Sequence, residues 1–398
     1  MSRGRDLLAH FAGQADFAID LLRRLVAIDS PTSDKDAVDR AGDAVAREFR
    51  AAGARVSILR MEDAGNVLRA SFGEGAAERA SSSAADAAGS AGVRPILLLG
   101  HLDTVWPLGE AARRPFRIEE GFAMGPGVFD MKVGIVVCVL LARAVREGAV
   151  RPCLPVTCLF SGDEETGSPV ARPLIETEAK RSTYVLGLEP PQPDGGAKTI
   201  RKGVGRIVLR VEGVPAHAGI DPEKGVNAIE ELAAQILAVK ALQDPAEGTT
   251  IHAGLVRGGV ARNVVAPAAR GEWDVRVSTP AEWGRLESAL FRLEPRNPGA
   301  RLRVEAALTH PPMVRTPAVA SLYEQARRAA AEAGFTLGEG ATGGGSDGSH
   351  CAALGVPVLD GLGVEGEGAH AATERVRVDR IAPRAAFLAR VLETVAAS

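Results

Sequence analysis

Long apolar runs, clusters of basic residues and cysteine motifs are all absent from this sequence of 398 residues. The formal net charge is −3 and no run of Lys or Arg occurs, so we expect no nucleic acid partner. No segment is long and apolar enough to span a bilayer, and the first residues lack the apolar stretch of a signal peptide. We therefore expect a soluble, cytoplasmic protein that has no membrane partner.

The four cysteines are Cys138, Cys153, Cys158 and Cys351. They lie in apolar sequence surroundings and show neither C-x-x-C nor metal-knuckle spacing. We interpret them as buried free thiols, which argues against a disulfide framework and against a cysteine metal site.

The chain is too long for one ordinary core, so we expect two domains. Predicted strands with nearly continuous apolar runs, such as "PILLLG", alternate with helices and indicate a doubly covered, mostly parallel sheet. Residues 203–311 instead follow the β-α-β-β-α-β order of a ferredoxin-like unit. We predict an α/β domain of residues 1–202 and 312–398 with an inserted α+β domain of residues 203–311. The Ala/Ser/Gly-rich residues 73–92 are interpreted as a flexible surface insertion.

Polar side chains follow the predicted strands of the first domain at the points where the strands end. In an open α/β sheet, the ligand site lies beyond the carboxyl ends of the strands. Two imidazoles and several carboxylates in this position suit a divalent cation such as zinc. The residues concerned are His101, Asp103, Asp130, Glu164, Glu165, Glu189 and His370.

Each of these residues has a simpler interpretation when it is taken alone. His101 can be a buried core histidine, His370 a polar loop residue, Asp103 a turn residue and Asp130 a helix N-cap. The acidic segment at residues 163–165 can favour a helix N-terminus. Together, these explanations require unrelated coincidences at the same end of successive strands, which favours a metal site.

Five segments, spread over nearly the whole chain, resemble in order and spacing the two-zinc exopeptidase family. This family includes bacterial glutamate carboxypeptidase, aminoacylase, peptidase T, acetylornithine deacetylase and succinyl-diaminopimelate desuccinylase. The segments are "GHLDTVW", "GPGVFDMKVG", "SGDEETGS", "GLEP" and "EGEGAHAATE". The glutamate carboxypeptidase branch is the most similar, through "ATGGGSDGSH" and "GLGVEGEGAH". The resemblance implies a zinc-exopeptidase catalytic domain and an inserted domain that acts as a lid and joins a homodimer.

The resemblance also implies two Zn²⁺ ions per chain, with Co²⁺ or Mn²⁺ as alternative metals, and a cis peptide bond after the bridging aspartate. The implied ligands are His101 and Glu189 for one ion, Glu165 and His370 for the other, and Asp130 as the bridge.

Three further residues receive catalytic roles from the resemblance. Glu164 is the implied general base, and Asp103 is implied to orient His101. His217 of "VPAHAG" is implied to donate a hydrogen bond to the tetrahedral intermediate in the site of the neighbouring subunit. Without the resemblance, His217 is interpreted as a surface histidine.

The inserted domain contributes the implied substrate-binding residues. Arg276 of "WDVR" and Asn263 of "ARNVV" stand at the substrate-binding positions of the family, where the planar fork of Arg suits a carboxylate. Their alternatives are a strand-surface Arg and a turn Asn. We also assign Gly344 and His310 to substrate binding. Because His310 stands where glutamate carboxypeptidases tend to carry an Arg, we do not expect a strict preference for glutamate.

We therefore predict a zinc-dependent hydrolase that cleaves a small peptide or an N-acyl amino acid and releases a free amino acid. An N-acyl-amino-acid deacylase of the same family is the first alternative. The second is a serine hydrolase, because Gly344–Gly348 matches G-x-S-x-G around Ser346. The preceding segment, "GFTLGEGATG", is too rich in Gly for the buried strand that this motif requires. The third is a metal-stabilised scaffold or amino-acid-binding protein without catalytic activity.

Overall fold

The computed structural model describes residues 3–73 and 93–395. Apart from Gly73, the predicted flexible insertion at residues 73–92 lies outside the described residues. Within the described part of the chain, no helix has both the length and the apolar character needed to cross a membrane.

Sixteen strands are present in the described residues. In chain order they are β1 (Arg55–Leu59), β2 (Val67–Phe72), β3 (Ile96–His101), β4 (Arg117–Glu119), β5 (Phe122–Met124), β6 (Val156–Ser161), β7 (Tyr184–Gly187), β8 (Ala197–Arg201), β9 (Gly203–Glu212), β10 (Thr250–Gly258), β11 (Ala268–Val277), β12 (Arg301–His310), β13 (Glu339–Thr342), β14 (Val358–Leu359), β15 (Gly366–Glu367) and β16 (Arg375–Arg377).

The α-helices of the same residues are listed here in chain order. They are α1 (Arg3–Ala12), α2 (Ala15–Val26), α3 (Lys35–Ala51), α4 (Glu110–Arg113), α5 (Val133–Arg146), α6 (Arg172–Arg181), α7 (Ala228–Lys240), α8 (Pro280–Leu290), α9 (Pro317–Glu332), α10 (Asp347–Ala353) and α11 (Ile381–Thr394).

The described residues divide into two compact units. The first contains the chain up to Ile200, the segment Arg315–Ala341 and the chain from Ser346 onward. The second contains Arg201–Val314 and Thr342–Gly345.

A six-stranded sheet with the order β1-β2-β6-β3-β7-β14 forms the centre of the first unit. The pairs β6–β3, β3–β7 and β7–β14 are parallel, and the pairs involving β2 are antiparallel. All residues of β3 and β6 are buried, as the apolar runs of a doubly covered sheet require. Helix α5 is buried on nearly all sides, which explains why it is apolar around its whole circumference. The predicted α/β class with a mostly parallel sheet is confirmed.

An antiparallel sheet with the order β10-β11-β9-β12 forms the second unit. Its strands and the helices α7 and α8 follow one another in the β-α-β-β-α-β order expected from the sequence. Both helices pack against the sheet, and their core contains Trp273, Trp283 and Leu286. The second unit is therefore a ferredoxin-like α+β structure.

Three features were not predicted from the sequence. Helix α1 precedes the first helix that the periodicity indicated. A small sheet with the order β15-β16-β5-β4 is built from strands of two or three residues, which are too short to show alternation. A further two-stranded sheet pairs β8 with β13.

Candidate metal centre

Three parallel strands of the first unit bring their carboxyl ends to one edge of the sheet. In β3 and β6, the last residues His101 and Ser161 are paired in register. Glu164 and Glu165 follow β6 in a short helical turn, and Glu189 follows the neighbouring strand β7. The order β6-β3-β7 therefore places the histidine between the two acidic segments.

Asp130 lies in a helical turn, Val128–Lys132, immediately before α5, and its peptide bond to Met131 is cis, as the family resemblance implied. Its two carboxylate oxygens contact two different imidazoles. Oδ1 lies 3.2 Å from Nε2 of His101, and Oδ2 lies 3.2 Å from Nε2 of His370. One carboxylate thus joins histidines from distant parts of the chain.

Each imidazole also faces a second carboxylate. Nε2 of His101 lies 3.6 Å from Oε1 of Glu189, and Nε2 of His370 lies 3.1 Å from Oε2 of Glu165. The result is two groups of one histidine and one glutamate, which share Asp130. The donor set fits divalent cations, since imidazole nitrogen and carboxylate oxygen are both zinc ligands. Oε1 of Glu165 is buried and has no hydrogen-bond partner among the described residues, so a cation would also satisfy this atom.

The electrostatics of the protein alone reveal an excess of negative charge at this edge. Burial, together with the nearby carboxylate of Glu189, raises the pKa of Glu164 well above its ordinary value. Hydrogen bonds to Asp130 and Glu165 raise the pKa of His370 to about 10. The charged form of Glu164 is therefore disfavoured, whereas the charged form of His370 is stabilised by the carboxylates that it contacts.

His370 occupies an unusual backbone position between β15 and β16. Its φ angle is 62°, in the left-handed region that residues other than glycine seldom adopt. Its side chain is 52% exposed, so packing contributes little to its orientation. The backbone turn, which includes the hydrogen bond from the N–H of Ala371 to the carbonyl of Gly368, presents the imidazole to Asp130 and Glu165.

Asp103 connects His101 to the segment that carries the two glutamates. Its backbone carbonyl lies 2.9 Å from Nδ1 of His101, and its carboxylate Oδ1 lies 3.5 Å from the same nitrogen. The carboxylate accepts the backbone N–H groups of Glu164 and Glu165 at 3.2 and 3.1 Å, and the hydroxyl of Thr32 at 2.7 Å. Asp103 therefore orients the glutamate-bearing turn in addition to facing the histidine.

Glu374 is an organising residue that the sequence reasoning did not identify. It is 1% exposed, and its carboxylate accepts the backbone N–H groups of Gly127, Phe129 and Asp130 and the indole N–H of Trp106. The available signal was its position as the last residue of the motif "EGEGAHAATE", four residues after His370. One carboxylate thus ties together three of the segments that carry the family resemblance.

Ser346 does not have the surroundings of a catalytic serine. Its side chain is buried, and its hydroxyl donates to Oδ2 of Asp360 at 2.5 Å. The preceding strand β13 is partly exposed and ends before the glycines, whereas a nucleophile elbow follows directly on a buried strand. The structure therefore offers no support for the serine hydrolase alternative.

The second unit holds the other residues that the sequence reasoning singled out. His217 and Asn263 are close, since His217 pairs with Val264 in a β-bridge and the N–H of Ala218 donates to the carbonyl of Asn263. The Nδ1 atom of His217 accepts the backbone N–H of Gly219 at 3.1 Å.

Arg276, His310 and Gly344 lie elsewhere in that unit. The fork of Arg276 binds Asp274 through Nε and Nη2, each at 2.9 Å, and its Nη1 donates to the carbonyl of Gly343. The carbonyl of Gly344 accepts a hydrogen bond from Arg201. A Cβ atom at Gly345 would lie 2.7 Å from the ring of His310, so this glycine allows the loop to approach the histidine.

Known proteins match this chain over most of its length. The family model described as peptidase family M20/M25/M40 matches residues 97–394. Carboxypeptidase G2 of Pseudomonas sp. (strain RS-16) is 31% identical over 382 residues, which cover 94% of this chain and 88% of that protein. Acetylornithine deacetylase of Erwinia tasmaniensis is 29% identical over 242 residues, or 56% of this chain and 61% of that protein.

Solved structures match the fold as well. The crystal structure of aminopeptidase PepT from Bacillus cereus has a TM-score of 0.73 and 22% sequence identity, and the match covers 95% of this chain and 98% of that one. At this identity the likeness concerns the fold alone. The family model, in contrast, spans about three quarters of the residues, and the chain therefore belongs to the peptidase family M20/M25/M40.

Proposed function

We propose that this protein is a two-metal hydrolase that cleaves an amide bond and releases a free amino acid, as a carboxypeptidase does. The observation that carries the proposal is the position of Asp130, whose two oxygens each contact a different histidine. A carboxylate between two such groups suits a pair of divalent cations. Zinc is the proposed metal because of its affinity for imidazole and carboxylate, with cobalt or manganese as alternatives.

In this proposal, five residues hold the two ions. When bound, such ions polarise a carbonyl group and lower the pKa of water. The proposed ligands are His101 and Glu189 for one ion, Glu165 and His370 for the other, and Asp130 for both.

Glu164 is the proposed general base. It is adjacent to Glu165 in the turn that Asp103 orients. Its carboxyl group is close enough to the proposed ligands Glu189 and His101 for their charges to affect its pKa. It accepts a proton from the attacking water and delivers it to the leaving amine. Asp103 holds the turn so that this proton transfer takes place at a fixed position.

The second unit provides the proposed substrate contacts. Arg276, helped by Asn263, binds the carboxylate of the amino acid that is released, and Gly344 and His310 complete the binding residues. In the structure Arg276 binds Asp274 through two N–H groups, and in the proposal the substrate carboxylate shares or replaces this partner. His310 is a weaker anion partner than Arg at neutral pH, so the proposal includes no strict preference for glutamate.

The proposal also includes a homodimer that is joined through residues 203–311, with His217 completing the site of the partner subunit. Strand β10 lies at an edge of its sheet, where its outer N–H and C=O groups are available to a symmetric partner. Large apolar side chains are exposed in this region. They are Leu255 (53%) and Val256 (55%) on β10, Val260 (73%) just after β10, and Leu237 (73%) on α7. Exposed apolar residues on a sheet edge and an adjacent helix favour a protein–protein contact. The four free cysteines support the proposed cytoplasmic location.

An N-acyl-amino-acid deacylase is the second candidate function. His310 stands where glutamate carboxypeptidases tend to carry an Arg, which weakens the assignment of a binding site for a second substrate carboxylate. In addition, acetylornithine deacetylase is among the relatives. Both candidates use the same metal centre and differ in the group that is attached to the amino acid.

The zinc-loaded protein should therefore be tested on a panel of dipeptides and N-acyl amino acids. We expect release of a free amino acid, inhibition by a chelator and no inhibition by a serine-directed fluorophosphonate. Glu164→Gln should retain metal while its rate falls by about 10²–10⁴-fold, the usual contribution of a general base. Binding of far less than two ions per chain at saturation would contradict the two-metal proposal, and loss of activity with the phosphonate alone would favour Ser346.

A further inference from the structure

One buried carboxylate joins the two ends of the turn that carries Glu164 and Glu165. Asp347 is the first residue of α10 and is 2% exposed. Its Oδ2 accepts the hydroxyl of Ser161 at 2.6 Å, and its Oδ1 accepts the hydroxyl of Ser168. Ser161 precedes the turn and Ser168 follows it, and all of these residues belong to the first unit. We call Asp347 and the two serines the Asp347 clamp.

The first end of the Asp347 clamp lies in the central sheet. Ser161 is the last residue of β6 and is completely buried. It pairs in register with His101, and its carbonyl accepts the N–H of Leu102 at 2.8 Å. The sheet therefore gives this end of the clamp a fixed position.

The second end of the Asp347 clamp has an unusual backbone conformation. The φ angle of Ser168 is 52°, in the left-handed region that costs free energy for a residue with a Cβ atom and that favours glycine. Its N–H donates to the carbonyl of Asp163 at 3.0 Å, and its hydroxyl donates to Asp347. These contacts are needed to keep the chain in this conformation where the turn ends.

Asp103 holds the same turn from another direction but contacts only its first part. Its carboxylate accepts the N–H groups of Glu164 and Glu165 at 3.2 and 3.1 Å, somewhat longer than the usual distance of about 2.9–3.0 Å. Burial raises the pKa of Asp347 to about 6, although the hydrogen bonds from the two serines act in the opposite direction. Asp347 is therefore mainly ionised at neutral pH, and hydrogen bonds to a charged acceptor are stronger than neutral ones.

We propose that Asp347 is a positioning residue that fixes Glu164 relative to the candidate metal centre by holding both ends of its turn. This inference rests on the proposed function, in which Glu164 is the general base. A general base must lie within about 2.6–3.2 Å of the atom whose proton it accepts, and a displacement of about 1 Å can lower a rate by about 10²-fold. Asp347 acts through the two serine hydroxyls and takes no proton itself.

Hydrogen exchange of the metal-free protein tests the Asp347 clamp without any assay of activity. The N–H groups of residues 164–168 all donate to Asp103 or to carbonyl groups of the turn, so their exchange rates report opening of the turn. Ser168→Ala should increase these rates by about tenfold or more. The matched control is Ser182→Ala, because Ser182 is 1% exposed and its hydroxyl donates to the carbonyl of Glu178. Equal exchange of the turn in the variant and the control would overturn the inference.

Kinetics at saturating zinc test the consequence for catalysis. The bound zinc is measured in each variant, because Glu165 in the same turn is a proposed ligand. We expect kcat per zinc-loaded protein to fall at least tenfold in Ser161→Ala and in Ser168→Ala, while KM changes less than about threefold, as for an interaction that matters only in the transition state. Ser182→Ala should keep both constants. Unchanged kcat in variants whose turn exchanges faster would overturn the positioning role.

Two substitutions of Asp347 separate its hydrogen bonds from its charge. Asp347→Asn keeps two polar atoms, since a serine hydroxyl can accept from the amide N–H₂ and can donate to the amide oxygen. Asp347→Ala removes both partners. At equal zinc occupancy we expect kcat of Asp347→Asn to be at least tenfold higher than kcat of Asp347→Ala, and Ser168→Ala takes the place of Asp347→Ala if the latter does not fold. Equal losses would assign the effect to the charge of Asp347 and overturn the inference.

The two kinds of measurement separate this inference from the proposed function. If the wild type hydrolyses no amide of the panel, the proposed function fails, and hydrogen exchange still decides whether Asp347 holds the turn. If the wild type is active and the exchange rates of the turn do not respond to Ser168→Ala, the inference alone is refuted.

Discussion

The carboxylate of Glu374 accepts the backbone N–H of Asp130 at 3.0 Å, although the two residues are 244 positions apart in the chain. The same carboxylate accepts the N–H groups of Gly127 and Phe129, so it fixes the backbone that leads to Asp130. Because Glu374 follows His370 by four residues, this contact also sets the distance between the segments of two proposed metal ligands.

Replacement of Glu374 should therefore weaken metal binding. Glu374→Gln places an amide N–H₂ among four N–H donors, and we expect zinc affinity to fall by about 10–100-fold, as it does when groups that orient ligands are altered. Competition with a chromophoric chelator measures this affinity. The control is Glu367→Gln, which alters an exposed glutamate of the same motif that pairs with Arg375.

Thermal unfolding of the metal-free variants separates positioning from folding. If Glu374 positions the metal ligands, Glu374→Gln should lower the zinc affinity by more than the loss of stability of the metal-free variant accounts for. Unchanged zinc affinity in Glu374→Gln would refute the role.

If His217 acts in the active site of the neighbouring subunit, two different inactive variants should regain activity when their subunits are mixed. Glu164→Ala and His217→Ala should each be nearly inactive, but a mixture after subunit exchange should regain activity. With equal amounts, about a quarter of the wild-type rate is expected, because half of the dimers are mixed and each mixed dimer has one complete site. The rate is measured after exchange has been verified with differently tagged chains. Absence of recovery in verified mixed dimers would exclude sharing in trans.

Glu231 gives a prediction for the pH dependence of stability in the second unit. Burial alone would raise the pKa of Glu231, but hydrogen bonds from Gln235 and from the backbone N–H groups of Arg296 and Asn297 outweigh burial and lower it. A carboxyl whose pKa is lower in the folded state stabilises that state above its ordinary value near 4.5, and this contribution disappears as the pH falls through the lowered value.

We therefore expect Glu231→Gln to destabilise the protein at pH 7 by about 1–3 kcal/mol, the usual effect of disrupting a buried hydrogen-bonding group. The difference from the wild type should shrink as the pH falls below the ordinary value of the carboxyl. Urea unfolding followed by tryptophan fluorescence measures the effect, since Trp273 and Trp283 lie in the core of this unit. The control is the exposed Glu223. If the difference in unfolding free energy between Glu231→Gln and the wild type stays constant down to low pH, the lowered pKa of Glu231 is not its cause.

Features that depend on neighbouring residues in the sequence were predictable, whereas features that depend on contacts between distant segments were not. The polar residues after β3, β6 and β7 were predictable, because buried parallel strands show as apolar runs and their ends are marked by the change to polar residues. The β-α-β-β-α-β order of the second unit was predictable, because segments with the hydrophobic period of a strand alternate in the sequence with segments that have the period of a helix. The role of Glu374 was not predicted, since it depends on backbone N–H groups of a distant loop, and the position of Glu374 at the end of a family motif does not identify these partners.

The contact between Arg276 and Asp274 leads to a prediction about substrate recognition. In the structure, Asp274 occupies the bidentate face of the guanidinium and Gly343 accepts its remaining contact, so a substrate carboxylate must share or replace these partners. Arg276→Ala removes the proposed partner of that carboxylate. Loss of a charge-assisted contact of this kind costs about 2–5 kcal/mol, so kcat/KM on free-acid substrates should fall at least tenfold.

Asp274→Ala is the matched control for this prediction, because it also eliminates the Arg276–Asp274 pair but keeps the guanidinium. If Arg276 binds the substrate, Asp274→Ala should retain most of the wild-type kcat/KM on free acids, and the two variants should differ. On substrates whose carboxylate is amidated, the wild type should already be slow and Arg276→Ala should change the rate little. A steady-state comparison of free-acid and amidated forms of the best substrate measures both effects. Equal losses in the two variants would assign a structural role to Arg276, and equal wild-type rates on acid and amide would favour a less selective acylase over a carboxypeptidase.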